Sequence, residues 1–437
     1  MSLARDASSA LRIKVLAAAT SYGFALLLAR ELGTGGFGQV AFFLNAATLL
    51  AVLGGQGMPM LLLRDVPALA GLKTEGEVAL LARSALRRAV AGAALAGASA
   101  LALMLALPGH GGFSPAVLVA GLALVPLWSA MEALSHLARA CGMISLALFP
   151  KEVLWRSLAS LAALAWITMA GPLTPVVVLM ALLVIALGLV TGMAAALRIR
   201  GAWPGAQPAR RGKPDPARCR TARHFWAGSL SNIFLAHADV ITVALLLGPQ
   251  AAGYYFAANR LAQLLAFFLT SCNLALAPRF AGLWQGGAHR RAEAEIHRAT
   301  RRSSWQTALF ALPLVALAPQ ALSLFGDGFA SAAPALQLLA GAAVLNAATG
   351  PADIALNMAG QERAAMRAGL ISVAFSTLAL AGGTLAFGLA GTGAAVLLAT
   401  ALRKGLSWWL AHRRLGLRCD ILAALAPSST VPRPCPL

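Results

Sequence analysis

Long apolar stretches alternate with short polar gaps along the whole chain, at about 15–29, 37–63, 89–107, 116–138, 153–170, 173–197, 225–247, 251–278, 304–325, 334–358, 365–387 and 390–410. Each approaches the roughly 20 residues that a helix needs to cross a bilayer. In lipid every backbone N–H and C=O must be satisfied within the segment, so such stretches are read as helices. The pattern predicts an all-α polytopic membrane protein with twelve transmembrane helices, spans 1 to 12, in two six-helix lobes.

Charge then orients the spans. Of the 35 Lys and Arg residues, 33 fall in every second gap or at the span ends that border it, leaving only Arg30 in the intervening gaps and Arg260 inside span 8. Loops rich in Lys and Arg stay cytoplasmic, so both termini are expected inside, as in a multi-pass protein of a bacterial inner (plasma) membrane. At 59% hydrophobic and 11% charged residues, with mean hydropathy +0.75, a soluble globule is excluded. The net charge of +20 belongs to the inner loops and the anionic lipid headgroups beside them, so no nucleic-acid partner is expected. The five cysteines form no CxxC pair and imply neither disulfide nor zinc site. Span 1 runs straight into Arg30, Glu31 and a second apolar span, and is read as a retained helix rather than a cleaved leader. The proline-bearing tail, 415–437, is expected to be a cytoplasmic extension without a helix of its own.

The gaps leave little room for chemistry. The outer loops are at most about eight residues by these boundaries, the longest being 108–115 and 326–333, and the inner loops contain no Walker A, HExxH or Gly-rich nucleotide sequence. No cofactor, metal or enzymatic activity is expected.

The segment 198–223, with eight basic residues and Pro204, Pro208, Pro214 and Pro216, reads as a linker between lobes 1–197 and 224–414. The lobes echo each other. Leu32-Gly33-x4-Gly38, after span 1, recurs as Leu247-Gly248-x4-Gly253 after span 7, and two repeats of six helices have the same orientation in the membrane. A repeat interface is where transporters place a substrate path.

Polar groups inside a membrane are costly and face the bundle interior, so stripes at helical spacing mark inner walls. Span 4 carries Glu132, Ser135, His136 and Arg139 on one face; span 10 carries Asn346, Thr349, Asp353 and Asn357, interrupted by Gly350-Pro351, which predicts a hinge. Span 7 adds Asn232 and Asp239, span 2 adds Asn45, Thr48 and Gln56, and span 8 aligns Arg260, Gln263 and Ser271. The uncharged members suit interhelical hydrogen bonds. Arg260 has two readings: bidentate binding of a pyrophosphate, or a fixed ion pair with Asp239. Asp239, Glu132, Asp353 and His136 are candidates for ion coupling, with structural pairing, Glu132 to Arg139 for example, as the alternative. His237 is read as packing. Residues 288–302 are amphipathic and read either as a helical extension on the inner leaflet or as a solvated loop.

Three elements together resemble the polysaccharide (oligosaccharide) flippases of the multidrug/oligosaccharidyl-lipid/polysaccharide exporter superfamily. They are Leu28-Ala29-Arg30-Glu31-Leu32-Gly33-x4-Gly38, Gly54-x2-Gly57-x6-Arg64, and Gly248-x4-Gly253-Tyr254-Tyr255-x4-Arg260-Leu261 with Pro278 beyond it. The resemblance covers about residues 5–415. It implies a V-shaped, alternating-access bundle that moves an undecaprenyl-pyrophosphate-linked oligosaccharide from the inner to the outer leaflet, for O-antigen, capsule or exopolysaccharide. It also implies phosphate-binding roles for Arg30 and Arg64 beside Arg260; snorkelling to headgroups is the other reading of those two. The partners implied are the lipid-linked oligosaccharide, membrane lipids and other polysaccharide biosynthesis proteins. Relatives include lipid II flippases, often with fourteen helices, and multidrug and toxin extrusion antiporters. Two alternatives to a flippase stand: a cation antiporter, which would favour an acidic cavity, and a non-transporting assembly subunit.

Overall fold

In a computed structural model of the chain, residues 2–71, 75–107, 111–200 and 216–425 are described; most of the expected linker, and the end of the tail, lie outside them. The described residues are predominantly helical, without strands. In chain order the helices are α1 (Ser2–Gly55), α2 (Met58–Gly71), α3 (Glu75–Ala106), α4 (Pro115–Ala140), α5 (Ile144–Phe149), α6 (Trp155–Ala170), α7 (Pro175–Ile199) and α8 (Pro216–Leu247). They continue as α9 (Pro249–Gln285), α10 (His289–Ala316), α11 (Ala318–Ser323), α12 (Ala333–Ala348), α13 (Ala352–Met358), α14 (Glu362–Leu415) and α15 (Ile421–Leu425). A π-helical turn, Pro150–Leu154, joins α5 to α6, and a 3-10 turn, Phe329–Ala332, precedes α12.

Eight helices among the described residues are long and apolar enough to cross a membrane. Two of them each hold a pair of expected spans joined at one glycine: α1 bends at Gly33 (φ 64°, ψ −177°) and α14 at Gly388 (φ 59°, ψ −136°). Only glycine enters these backbone regions without a Cβ penalty, so the turn between two spans is made with a single residue. Ser114 and Thr174 open α4 and α7 by accepting from Val117 N and Val177 N, each followed by a proline where a helix needs no N–H.

Several expected boundaries move. Span 2 ends at Gly55, because Gln56 and Gly57 both take positive φ before α2 begins. Span 9 breaks at Leu317, between Pro313 and Pro319, into α10 and α11. Of the two readings of residues 288–302 the helical one holds, since from His289 they form the start of α10, continuous with its apolar part. The expected linker is helical from Pro216, and the tail does carry a helix, α15, since Asp420 caps it by accepting from Ala423 N (3.1 Å).

The chain forms two compact units, Met1–Gly253 and Tyr254–Leu437, so α8 belongs with the first and the division falls beyond the expected linker. Small residues and polar pairs account for this. Trp226 Nε1 donates to Leu53 O (3.0 Å), His237 Nδ1 to Asn45 Oδ1 (2.6 Å), and a Cβ on Gly57 would lie 2.0 Å from Ala222 O. The first unit is packed around Phe37, Phe43, Leu118, Leu124 and Leu134, all essentially without exposure, with Phe42, Phe43 and Phe113 in mutual ring contact.

In the second unit, Leu265, Ala311 and Ala340 join α9, α10 and α12. A second cluster gathers Phe280, Ile296, Leu356, Ala411, Leu417 and Cys419. The chain after α14 is therefore built into this unit. Thr300 Oγ1 donates to Cys419 O (3.0 Å), His297 Nε2 to Arg418 O (2.7 Å) and Trp408 Nε1 to Asp420 Oδ1 (2.8 Å). Cys419 O rests against Gly350, where a Cβ would come within 2.0 Å of it.

Candidate functional site

The expected break at Gly350-Pro351 is present: α12 stops, Gly350 takes φ 72°, and α13 starts after Pro351. This places Asp353 in the first turn of α13, beyond the end of the membrane-crossing helix at Ala348. Lys404 Nζ, from the second leg of α14, lies 2.8 Å from Asp353 Oδ2, with Arg403 Nη2 at 3.7 Å. Burial alone would raise the Asp353 carboxyl. The charges of Lys404 and Arg403 and hydrogen bonds from Lys404 and Ser407 outweigh it and hold the group down at about 2. Asp353 thus remains charged at ordinary pH.

Arg260 sits on α9, seven residues beyond Gly253 or about 10 Å along the helix axis. Its guanidinium lies 4.3 Å from the centre of the Phe256 ring, and Nη1 donates to Gln263 Oε1 (3.0 Å), while Gln263 Nε2 donates to Asn259 Oδ1 (2.9 Å). The Phe256 ring and the Gln263 amide thus both help to position the planar cation. Ser271, expected on the same stripe, bonds back to Phe267 O.

In the first unit the structure gathers charges that the sequence left apart. Ser135 Oγ donates to Ala147 O (2.7 Å), tying α5 to α4, and the π-helical turn follows at Pro150. Lys151 on that turn pairs with Glu132 of α4, and Glu152 pairs with Lys14 of α1 (2.7 Å). His136 Nδ1 donates to Glu132 O (2.9 Å), with Glu132 Oε1 at 3.6 Å. Glu132 is therefore paired with Lys151, and Arg139, the base expected from its own helix, adds only to the surrounding field. The turn itself is braced: Trp155 Nε1 donates to Lys151 O (2.8 Å), and the Trp155 ring meets Phe24, Trp128 and the Arg156 guanidinium.

The remaining candidates are spread out. Asp239 is buried (6% exposed) on α8, with Oδ1 accepting from Val240 N (2.8 Å). Arg30, exposed, precedes the Gly33 bend, and Arg64, on α2, lies 3.8 Å from Asp65. The leg of α1 between them, 34–55, is about 33 Å long, so these two arginines do not share a site. Among the described residues no three His, Cys, Asp or Glu side chains gather as a metal site.

Comparison with known proteins supplies the class. A family model described as "Polysaccharide biosynthesis protein" matches residues 3–284. The chain belongs to that family. No curated protein sequence matches this polysaccharide biosynthesis protein significantly. Its fold is that of membrane transporters. An inward-facing multidrug-resistance MATE family transporter of the MOP superfamily superposes with TM-score 0.69 at 14% identity, over 93% of this chain and 96% of that one. A mutant of the Vibrio cholerae MATE transporter VcmN gives 0.65 at 15% identity, over 95% and 97%. An outward-facing MATE family transporter gives 0.62 at 14%, over 94% of each. The polysaccharide biosynthesis protein is thus an all-α, multi-pass membrane protein with a transporter fold.

Proposed function

We propose that the protein is a flippase that carries an undecaprenyl-pyrophosphate-linked oligosaccharide from the inner to the outer leaflet of the bacterial inner membrane during surface polysaccharide biosynthesis. The observation that carries the reading is the combination of a polysaccharide biosynthesis family with a transporter fold. Such a substrate has a long apolar tail, a large polar glycan and a doubly charged pyrophosphate between them. The pyrophosphate needs cations at membrane depth, where an unneutralised charge is costly. Arg260, with its planar fork, suits that task, and Arg30 and Arg64 serve the headgroup at other stages. Asp239, Glu132 and His136 remain candidates for ion coupling; Asp353, locked to Lys404, is better suited to hold the Gly350-Pro351 hinge.

A cation antiporter is favoured only by the fold likeness. Against it, Glu132, Glu152 and Asp353 are each paired with a base, so they offer little free negative charge to a cationic drug. The test is glycan export in cells lacking the native gene, with abundance measured alongside. Arg260→Ala should abolish export at normal abundance, and Arg260→Lys should retain a fraction. Full export by Arg260→Ala, or full rescue by adding Asp239→Ala, would remove the pyrophosphate role from Arg260.

A further inference from the structure

The π-helical turn of the first unit presents two consecutive, oppositely charged residues to two different helices: Lys151 to Glu132 on α4, and Glu152 to Lys14 on α1. An α-helical path through Pro150 would give these neighbours another direction, and π-turns inside helices are often found at functional sites. The four side chains are only partly covered, at 39% exposure for Lys14, 28% for Lys151, 24% for Glu132 and 23% for Glu152. Arg139 and Arg156 stand close enough to act on Glu132 and Glu152 respectively. Four bases against two acids leave two positive charges in excess, matching a pyrophosphate diester in magnitude and opposite in sign.

Depth agrees with such a ligand. Glu132 is eight residues from the basic end of α4, and Lys151 is seven residues into the α5 to α6 run, which places both about 10–12 Å inside the helix ends. On the orientation drawn from the basic loops, the cluster lies toward the cytoplasmic ends of these helices, on the side from which a headgroup would enter.

We propose that the Glu132–Lys151 pair is a proton-gated loading site for the pyrophosphate of the lipid-linked substrate. The proposal rests on the flippase reading. While Glu132 is ionised it holds Lys151. An approaching pyrophosphate competes for the ammonium, and a carboxylate stripped of its partner at this depth takes up a proton. Each headgroup bound therefore takes one proton from the cytoplasm onto Glu132. When the headgroup moves on, Glu132 releases that proton to the same side and closes on Lys151 again. This loading step by itself moves no net proton across the membrane; it keeps the empty cluster from binding smaller anions tightly.

The charged groups around the pair are accounted for on each neighbouring helix. His136 and Arg139 lie on α4 itself, Lys14 on α1, and Arg156 follows on α6. α2 brings Asp65, beside Arg64, and α7 ends with Arg198. α3 places Arg83 beside Ala133, Leu134 and Leu137 of α4. His136 donates to a backbone carbonyl and so supports Glu132 without replacing Lys151 as its partner.

The test is titration calorimetry of the purified full chain with inorganic pyrophosphate, in pairs of buffers of different ionisation enthalpy. The probe itself titrates, so the readout is the difference between variants at one pH. The wild-type protein should take up one more proton per pyrophosphate than Glu132→Gln, and Glu132→Gln should bind more tightly at alkaline pH. Lys151→Gln should weaken binding by roughly tenfold or more, the value of a hydrogen bond to a charged group, and Lys151→Arg should restore part of it. Equal proton uptake by wild type and Glu132→Gln overturns the gate; unchanged affinity in Lys151→Gln overturns the site. Should Glu132→Gln not accumulate, Lys151→Gln alone decides, because affinity and extra proton uptake must be lost together. Pyrophosphate binding to none of the proteins, with glycan export still dependent on the chain, overturns the loading site and leaves the flippase standing. Export that does not depend on the chain removes the flippase reading itself.

Discussion

Gly38 and Gly253, the matching glycines of the two repeated Leu-Gly-x4-Gly turns, lie backbone to backbone within the first unit. A Cβ on Gly38 would fall 1.7 Å from Pro249 O and 2.7 Å from Gly253 N, and one on Gly253 would fall 2.1 Å from Thr34 O. Each repeat thus supplies the gap that the other fills, and neither contact has a flexible side chain to give way.

Substitution at either glycine should therefore cost stability. Gly38→Ala and Gly253→Ala are each expected to destabilise by about 1–3 kcal/mol, as overpacking does, and the change should appear as a lower melting temperature of purified protein. Gly35→Ala, where a Cβ meets nothing within 4 Å, is the control and should be close to neutral. Equal melting of Gly38→Ala and Gly35→Ala would mean that the close approach is not needed.

The Asp353–Lys404 pair gives a pH signature. Its folded-state value is depressed from 3.8 to about 2, so its stabilisation is complete above 3.8 and is lost as pH falls through about 2. Asp353→Asn should lower stability by up to about 3 kcal/mol at neutral pH, the lower end for breaking a buried pair, because Asp353 keeps some exposure. The gap between Asp353→Asn and wild type should close on acidification, and Asp353→Asn with Lys404→Met should recover much of the loss. A pH-independent gap would show that the ion pair is not its source.

Hinge function makes a separate claim. Pro351→Ala removes the constraint that frees a backbone carbonyl in the break, and should slow glycan export several-fold, without loss of protein from the membrane, if bending at this point is part of transport. Gly350→Ala is expected to be worse, since it combines φ 72° with a Cβ 2.0 Å from Cys419 O. Unchanged export rates in Pro351→Ala would reduce the break to packing.

Cysteine reactivity should separate sharply. Burial, helped by the negative charges of Asp420, Glu293 and Asp353, pushes the Cys419 thiol up to about 12, so it should stay unmodified by a maleimide in the folded protein and react after denaturation. Peptide mass mapping reads this directly. Rapid modification of Cys419 under native conditions would show that the segment after α14 is not docked.

Topology is testable one residue at a time in a Cys-free background. Ser331→Cys and Gln320→Cys should react with an impermeant thiol reagent added outside cells, whereas Arg290→Cys should not. External labelling at position 290 would reverse the orientation drawn from the basic loops.

The apolar spans, the break at Gly350-Pro351 and the repeated glycine turns could all be read from residues close together in sequence, because each depends on local backbone chemistry. Partners distant along the chain could not. Lys151 replaces Arg139 as the base on Glu132 because a π-turn redirects it, and no periodicity announces a π-turn beyond the proline at 150. Lys404 was hidden from Asp353 by a separation of 51 positions along the chain, and Asn45 from His237 by one of 192. The position of α8 with the first unit likewise depends on tertiary contacts, whereas the charge-rich segment before it suggested a boundary there.

Cys419 O fills the space that Gly350 leaves open, and Leu417 and Cys419 complete a cluster begun by α9 and α10. Among the described residues, the helices long and apolar enough to cross a membrane all end before residue 417, so the segment that closes this cluster follows all of them along the chain. Without that segment, Phe280, Ile296 and Leu356 would lose the apolar cover that Leu417 and Cys419 give them, and the core of the second unit would stand open on that side.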